Sequence, residues 1–297
     1  MKRYLPTYML YMLAWLPFVS SCIRDEIPDC PPLRVNISVK DKNYFNVDKV
    51  DSEERRSEDL AFREYVPTLY WILRDAETGE IADKSQFMKL SGEEKTISAN
   101  ICPDTPHGKY VLTVWGGLEN LEPLGEDPTT FEFHRDNTER RDVYMTNDTL
   151  LYDAWHNDYT VELKRTKGKL IIEKVNLPKE VSRSEKRIEG LSAIVNNEFK
   201  YSGETYVSKQ TDITASQTVT KTILTPSVKK DGSLLSMKFY NGESYDNLPL
   251  TPDDVKITMN RNELTVLRYV WDNNKQKFNI YILINDSWDL LNSLTIE

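Results

Sequence analysis

Three cysteines, three histidines and forty-seven carboxylates are the groups of this 297-residue chain with reactive potential. The histidines are the only side chains whose ordinary range lies near neutrality. His107 sits in the turn sequence Pro106-His107-Gly108, His134 ends a short apolar run and His156 lies in an irregular stretch. None belongs to a Gly-x-Ser-x-Gly elbow, a His-Glu-x-x-His helix or a Cys/His array of zinc spacing. Each is therefore expected to be a surface or structural residue. Pairs such as Asp253-Asp254 match no calcium-loop pattern; a glycosidase pair is defined by its separation in space, and solubilising turn acids are the expected role. No catalytic residue and no metal ligand is assigned, and the chain is not expected to be an enzyme.

The cysteines carry more. Cys22 follows Val19-Ser20-Ser21, at the end of a leader that starts with Lys2 and Arg3 and continues through an apolar run from Tyr4 to Phe18. A basic start, an apolar stretch and small residues are the order of a secretory leader. The apolar run is short for a span, which needs about 20 residues, and Pro6 and Pro17 interrupt it. The segment 19–22 resembles the lipobox of bacterial lipoproteins. That resemblance implies cleavage before Cys22, a diacylglycerol on its sulfur and an acylated amino end, so that the body hangs on several acyl chains. No cofactor other than this covalent lipid is called for. Cys30 and Cys102 then remain as an even pair in an oxidising compartment, where a disulfide forms and persists; a Cys30–Cys102 bridge is expected, with two separate buried thiols as the alternative.

Charge narrows the partners. The chain carries a net charge of −9, and loss of Lys2 and Arg3 with the leader brings it to −11. No basic stripe is available for phosphates, so nucleic acid is not a partner, and an acidic body favours a membrane link through the lipid alone. Residues 23–29 read as a polar spacer. Its Arg24-Asp25-Glu26 resembles the surface-export signal of Bacteroidetes lipoproteins, with a solvated linker as the plain alternative.

Period-two patterning dominates the rest. Leu33, Val35, Ile37 and Val39 alternate with polar residues, which predicts a strand with one buried face. Further strands are predicted over 68–73, 109–115, 130–134 and 142–145, and in the second half over 169–172, 190–195, 218–224, 234–240, 255–259 and 264–284, the last a hairpin turning at Asp272-Asn273-Asn274-Lys275. Asp51–Glu64 mixes both charge signs and reads as a solvated loop or short surface helix. The patterning lapses around 152–158 and resumes at Tyr159, Val161 and Leu163, so the division into a first module (32–157) and a second (158–297), after a leader (1–21) and a lipidated spacer (22–31), is placed there. Trp71, Trp115 and Trp271 are predicted in the core; Trp155 and Trp288 lie in less regular stretches and are the candidates for external contact. No sustained helical period occurs, and many short strands indicate all-β sandwiches.

The order of lipobox, short acidic spacer, Asp29-Cys30-Pro31-Pro32 and alternating strand, with 108–116 and the opening of the second half at 161–166 and 169–172, resembles the FimB/Mfa2 family of fimbrial anchor subunits of Bacteroidales. The resemblance implies two tandem transthyretin-like β-sandwiches. It implies a minor pilus component that fixes a fimbria to the outer membrane at the cell surface and limits its length, with shaft subunits or accessory pilins as partners. Such subunits join by strand complementation. An anchor that retains its first strand, Leu33–Val39, has no vacant groove and ends the polymer. At the other end Trp288, Leu290, Leu291, Leu294 and Ile296 form an apolar tail, either a strand donor or the ordinary last strand of the second sandwich. The charged stretch Asp51–Glu64 departs from the family pattern. The alternative function is a glycan-binding surface lipoprotein or tip adhesin, using an exposed aromatic such as Trp155.

Overall fold

A computed structural model describes residues 32–103, 108–125, 128–153, 155–214, 218–242 and 248–291. Among them the fold is almost entirely β. The first half contains β1 (Leu33–Val39), β2 (Thr68–Asp75), β3 (Ile81–Lys84), β4 (Met88–Lys89), β5 (Ile97–Ile101), β6 (Gly108–Gly116), β7 (Thr130–Glu132), β8 (Tyr144–Tyr152) and β9 (Asp158–Arg165). The second contains β10 (Gly168–Val175), β11 (Val181–Leu191), β12 (Ile194–Asn196), β13 (Tyr201–Ser202), β14 (Thr205–Asp212), β15 (Val219–Leu224), β16 (Ser233–Asn241), β17 (Val255–Ile257), β18 (Leu264–Asp272), β19 (Lys277–Ile284) and β20 (Ser287–Leu291).

The first sandwich stacks a layer β5-β1-β9 on a layer β3-β2-β6-β8, with β4 also on the β2 edge. Alternation places Leu33, Val35, Ile37 and Val39 of β1 against Leu69, Trp71 and Leu73 of β2 and Leu112 and Val114 of β6. The opposite face of the β2-β6-β8 layer is covered too: Tyr70, Ile72, Trp115 and Met145 pack beneath Leu124, Phe131, Phe133 and Val195. A sheet buried on both faces loses its apolar–polar alternation, which is why β2 reads as an unbroken run from Leu69 to Leu73.

The second sandwich stacks β15-β10-β18-β19-β20 on β14-β11-β16-β17. Leu170, Ile172, Leu267, Tyr269 and Ile280 meet Ile188, Val207, Leu235, Met237, Phe239 and Ile257 between the layers. The two halves repeat one plan. β1 runs antiparallel to β5 and parallel to β9; β10 runs antiparallel to β15 and parallel to β18.

The boundary expected at 157/158 falls just before β9, and β9 belongs to the first sandwich: Val161 and Leu163 are buried in its core. The lapse in patterning marks a loop between β8 and β9 rather than a module edge. The halves also share a small sheet, β7-β12-β13. Gly190 makes this crossing possible. It takes φ +72°, where a Cβ would lie 2.0 Å from the Gly232 carbonyl oxygen, a geometry that only glycine tolerates. The β11 ladder breaks register between Ile188 and Leu191 at this point, and 194–202 leave the second sandwich to pair with the first.

Candidate assembly surfaces

The N-terminal strand is a fully integrated element. Leu33, Val35 and Ile37 have no exposed surface. Arg34 to Val39 pair with Asp158 to Leu163 on one side and Leu33 to Ile37 with Ile101 to Ile97 on the other. Complete burial of an aliphatic side chain stabilises by about 1.5–3 kcal/mol, so β1 is strongly held. Cys102 follows β5 directly and is exposed, which removes the buried-thiol alternative for this residue. Cys22 and Cys30 lie outside the described residues, as does His107.

At the other end, Trp288, Leu290 and Leu291 lie in β20, which pairs with β19 from Ile280↔Leu291 to Ile284↔Ser287. The described part of the tail is thus an edge strand of the second sandwich; Leu294 and Ile296 lie outside the described residues. The turn before it is tight, with Asn285 and Asp286 both at positive φ, as a two-residue hairpin requires. The Arg268 guanidinium lies 3.8 Å from the Trp288 ring centre, and Leu290 is half exposed. Opposite β19 and β20 the facing layer ends at the three-residue β17, which leaves a groove of about 360 Å³ walled by Leu250, Val255, Phe278, Ile280, Leu290 and Leu291.

Between the two halves lies a polar joint. Arg165, the last residue of β9, donates from Nη1 to Asp142 Oδ2 at 2.5 Å and from Nη2 to the Asp41 carbonyl at 3.1 Å. Its guanidinium lies 4.0 Å from the Tyr44 ring centre and 5.1 Å from that of Tyr144. Burial pushes the Asp142 carboxyl up, opposed by Arg165 and Lys167. Lys167 is wholly buried. Its ammonium donates to the Arg141 carbonyl at 2.8 Å, and burial lowers its pKa to about 8. The charged stretch Asp51–Glu64 closes the joint from one side. Glu54 accepts from Lys169 at 2.6 Å and from Lys221; burial works against the charge, yet the two lysines hold its carboxyl below the ordinary range. Ala61, Phe62 and Tyr65 are buried. The stretch expected as a solvated loop or short surface helix does carry short helices (Ser52–Glu54 and Phe62–Tyr65) and exposed charges at Glu53, Arg55, Glu58 and Asp59, and through Glu54 it also straps the two halves. A cavity of about 110 Å³ beside the joint is lined by Glu119, Glu122, Arg135, Asp136 and Arg140, but these groups already pair with one another.

His134 is a pin in this joint. Its Nδ1 lies 3.1 Å from the Thr138 carbonyl, and Nε2 accepts from the Thr225 N–H of the second half at 3.2 Å. This pairing requires the neutral ring with its proton on Nδ1. Burial first, then the charge of Lys167, lowers its pKa to about 3. Below pH 6.5 the unfolded chain binds a proton that the folded ring refuses. The stability contributed is complete above pH 6.5 and falls as pH drops toward 3, by about 1.4 kcal/mol per unit for one proton. Equilibrium unfolding between pH 6.5 and 4.5 should show His134→Gln with a slope about one proton shallower than the parent; equal slopes would remove the histidine from the account.

The other candidates divide cleanly. His156 is exposed and bound to Asp153. Trp71, Trp115 and Trp271 are buried as expected, whereas Trp155 is 89% exposed. Among the described residues no group of three or more His, Cys, Asp or Glu could hold a metal ion, and no helix is long and apolar enough to cross a membrane. Arg165, Lys167 and Asp142 went unnoticed in the sequence. The one available signal was the polar run Lys164-Arg165-Thr166-Lys167 between two strongly alternating strands.

No protein-family model matches the chain, and no curated protein matches it in sequence. Solved structures do. A candidate adhesin from Bacteroides thetaiotaomicron is 15% identical, with a TM-score of 0.57 over 89% of this chain and 99% of that one. A candidate adhesin from Bacteroides ovatus is 12% identical, with a TM-score of 0.55 over 93% and 98%. The fimbrial anchor protein Mfa2 from Porphyromonas gingivalis is 11% identical, with a TM-score of 0.52 over 87% and 99%. At these identities the likeness is one of fold, and it extends over nearly the whole described chain: two joined β-sandwiches arranged as in Mfa2 and the Bacteroides adhesin-like structures.

Proposed function

We propose that the chain is a lipid-anchored minor fimbrial subunit that attaches a pilus to the outer membrane at the cell surface and ends its growth. The observation that carries this reading is β1. A subunit that accepts a partner's strand needs an open sheet edge or a vacant strand position. Here the strand nearest the proposed acylation site is built in between β5 and β9, with Leu33, Val35 and Ile37 fully buried. The position is filled from within, so the first sandwich accepts no donor and the polymer stops. The likeness of fold to Mfa2 supports the same reading.

The β1–β5 register supports the proposed bridge as well. Leu33 stands opposite Ile101, so the next residues along are Pro32 and Cys102, and Cys30 is two positions further. A Cys30–Cys102 disulfide would staple the start of β1 to the end of β5 and, in the chain-entropy model, add up to about 4 kcal/mol. Residues beyond β20, including Leu294 and Ile296, are the proposed donor toward the shaft.

Deletion of the gene followed by electron microscopy is the direct test, with shed or overlong fimbriae expected. Cys22→Ala should move the protein from the membrane to the soluble fraction and reproduce the deletion. Unchanged fimbriae in both strains would overturn the reading.

A further inference from the structure

Trp155 is the most exposed aromatic side chain among the described residues, at 89%, and its place in the first sandwich is specific. Register puts the start of β1 (Arg34↔Asp158) beside the start of β9, the end of β5 beside Leu33, and the end of β8 beside the start of β6 (Gly108↔Tyr152). These ends form one pole, and Asn157, just before β9, caps it: the Arg34 N–H donates to the Asn157 carbonyl at 2.7 Å. The chain enters at this pole, because residue 32 begins it. Nine residues separate Pro32 from Cys22, so the two Cα atoms lie within about 35 Å even at full extension. The opposite end of the sandwich, where β1 and β9 finish, faces the joint.

The loop presents the indole rather than merely exposing it. Asp153 Oδ1 accepts from the backbone N–H of Trp155 at 2.7 Å and of His156 at 2.9 Å, and both its oxygens lie 2.9 Å from His156 Nδ1. Little ordering therefore remains to be done on contact. Leu151 and Ile81, 50% and 44% exposed, lie on strands that end or begin at the same pole. A sugar platform would want free polar groups beside the ring, but the carboxylate of this loop is committed to its own backbone and to His156. An exposed indole at the pole that, on the lipid-anchor reading, lies nearest the bilayer suits the headgroup layer, where an amphipathic ring is most favourably placed.

We propose that the lipid is not the sole membrane link, contrary to what the acidic composition alone suggests, and that Trp155 seats in the lipid headgroup layer and holds the entry pole of the first sandwich against the membrane surface, with the joint and second sandwich pointing away. This rests on the lipid-anchor reading for its geometry, and the test keeps the two apart. The full-length lipoprotein is reconstituted in phosphatidylcholine vesicles containing lipids brominated near the carbonyl, and Cys22 acylation is checked by mass spectrometry on the same sample. In parallel, the chain with an N-terminal histidine tag in place of the leader is held on nickel-chelating lipid, so that the pole meets the surface whether or not Cys22 is acylated. Trp155→Ala should lower the bromolipid-quenched fraction of tryptophan emission roughly twofold or more in both preparations, since Trp71, Trp115 and Trp271 are buried and Trp288 lies on the second sandwich, away from the surface. Absence of acyl groups with intact quenching of the tagged protein would sink the anchor reading and leave the membrane contact standing. Equal quenching of parent and Trp155→Ala would overturn the proposal, as would a Trp155 emission that ignores bromolipid and shifts with soluble polysaccharide.

Discussion

Arg165→Ala should cost the folded protein about 3–5 kcal/mol, the range seen when one member of a buried ion pair is removed. The side chain is only 5% exposed. It holds Asp142, reaches the Asp41 carbonyl and stacks between Tyr44 and Tyr144. Alanine removes the nearest counter-charge of the Asp142 carboxylate, leaving only the more weakly acting Lys167 and Lys169, and the packing of the guanidinium is lost as well. Denaturant unfolding measures the loss, and protease cutting near Thr166–Gly168 should accelerate as the halves part. The double replacement Arg165→Met with Asp142→Leu should be milder than either single change, because the two charges leave together and the Asp41 carbonyl and Lys167 alone lose a partner. A single-mutant cost under about 1 kcal/mol would mean that the pair is solvated.

Ile37→Asp should abolish the first sandwich. Ile37 has no exposed surface and sits mid-strand between β5 and β9. An ionised carboxylate there has no partner, and the cost exceeds about 5 kcal/mol, comparable with the whole stability of a typical domain. Circular dichroism should show lost β signal, and secretion should fail. Arg34→Gln, on the exposed face of the same strand, should change stability by less than about 0.5 kcal/mol. If Ile37→Asp instead folds and captures shaft subunits, β1 is a removable plug rather than a fixed strand.

Sequence reading worked where one face of a strand meets water. β1 alternates cleanly and was expected from Leu33 to Val39; β6 and β18 are covered on both faces over part of their length and were expected within a residue or two from their β-rich composition instead. It failed where polar residues turn inward. β11 reads Val-Ser-Arg-Ser-Glu-Lys-Arg-Ile, yet Val181, Ser184, Lys186 and Ile188 are its buried positions, so its period was invisible to hydropathy. The repeat of the two halves was equally hidden, because strand order and direction, not residue identity, are what recur. The bridging role of the charged strap was hidden for a related reason: the Glu54 side chain is largely covered because Lys169 and Lys221, more than a hundred residues away, come to meet it. Cys102 and Trp155 drew attention by residue type, but it took β-register to put both at one pole.

The parallel pairing of β1 with β9 has a mechanical consequence. Under the proposed anchoring role, tension would enter the first sandwich at the start of β1 and leave at the end of β9, which continues into the second half. Two neighbouring parallel strands drawn from opposite ends slide along each other instead of peeling, so the six paired positions from Arg34↔Asp158 to Val39↔Leu163 must yield together. Had the same strands run antiparallel, the rungs would open one after another, like a zip, under a much weaker pull.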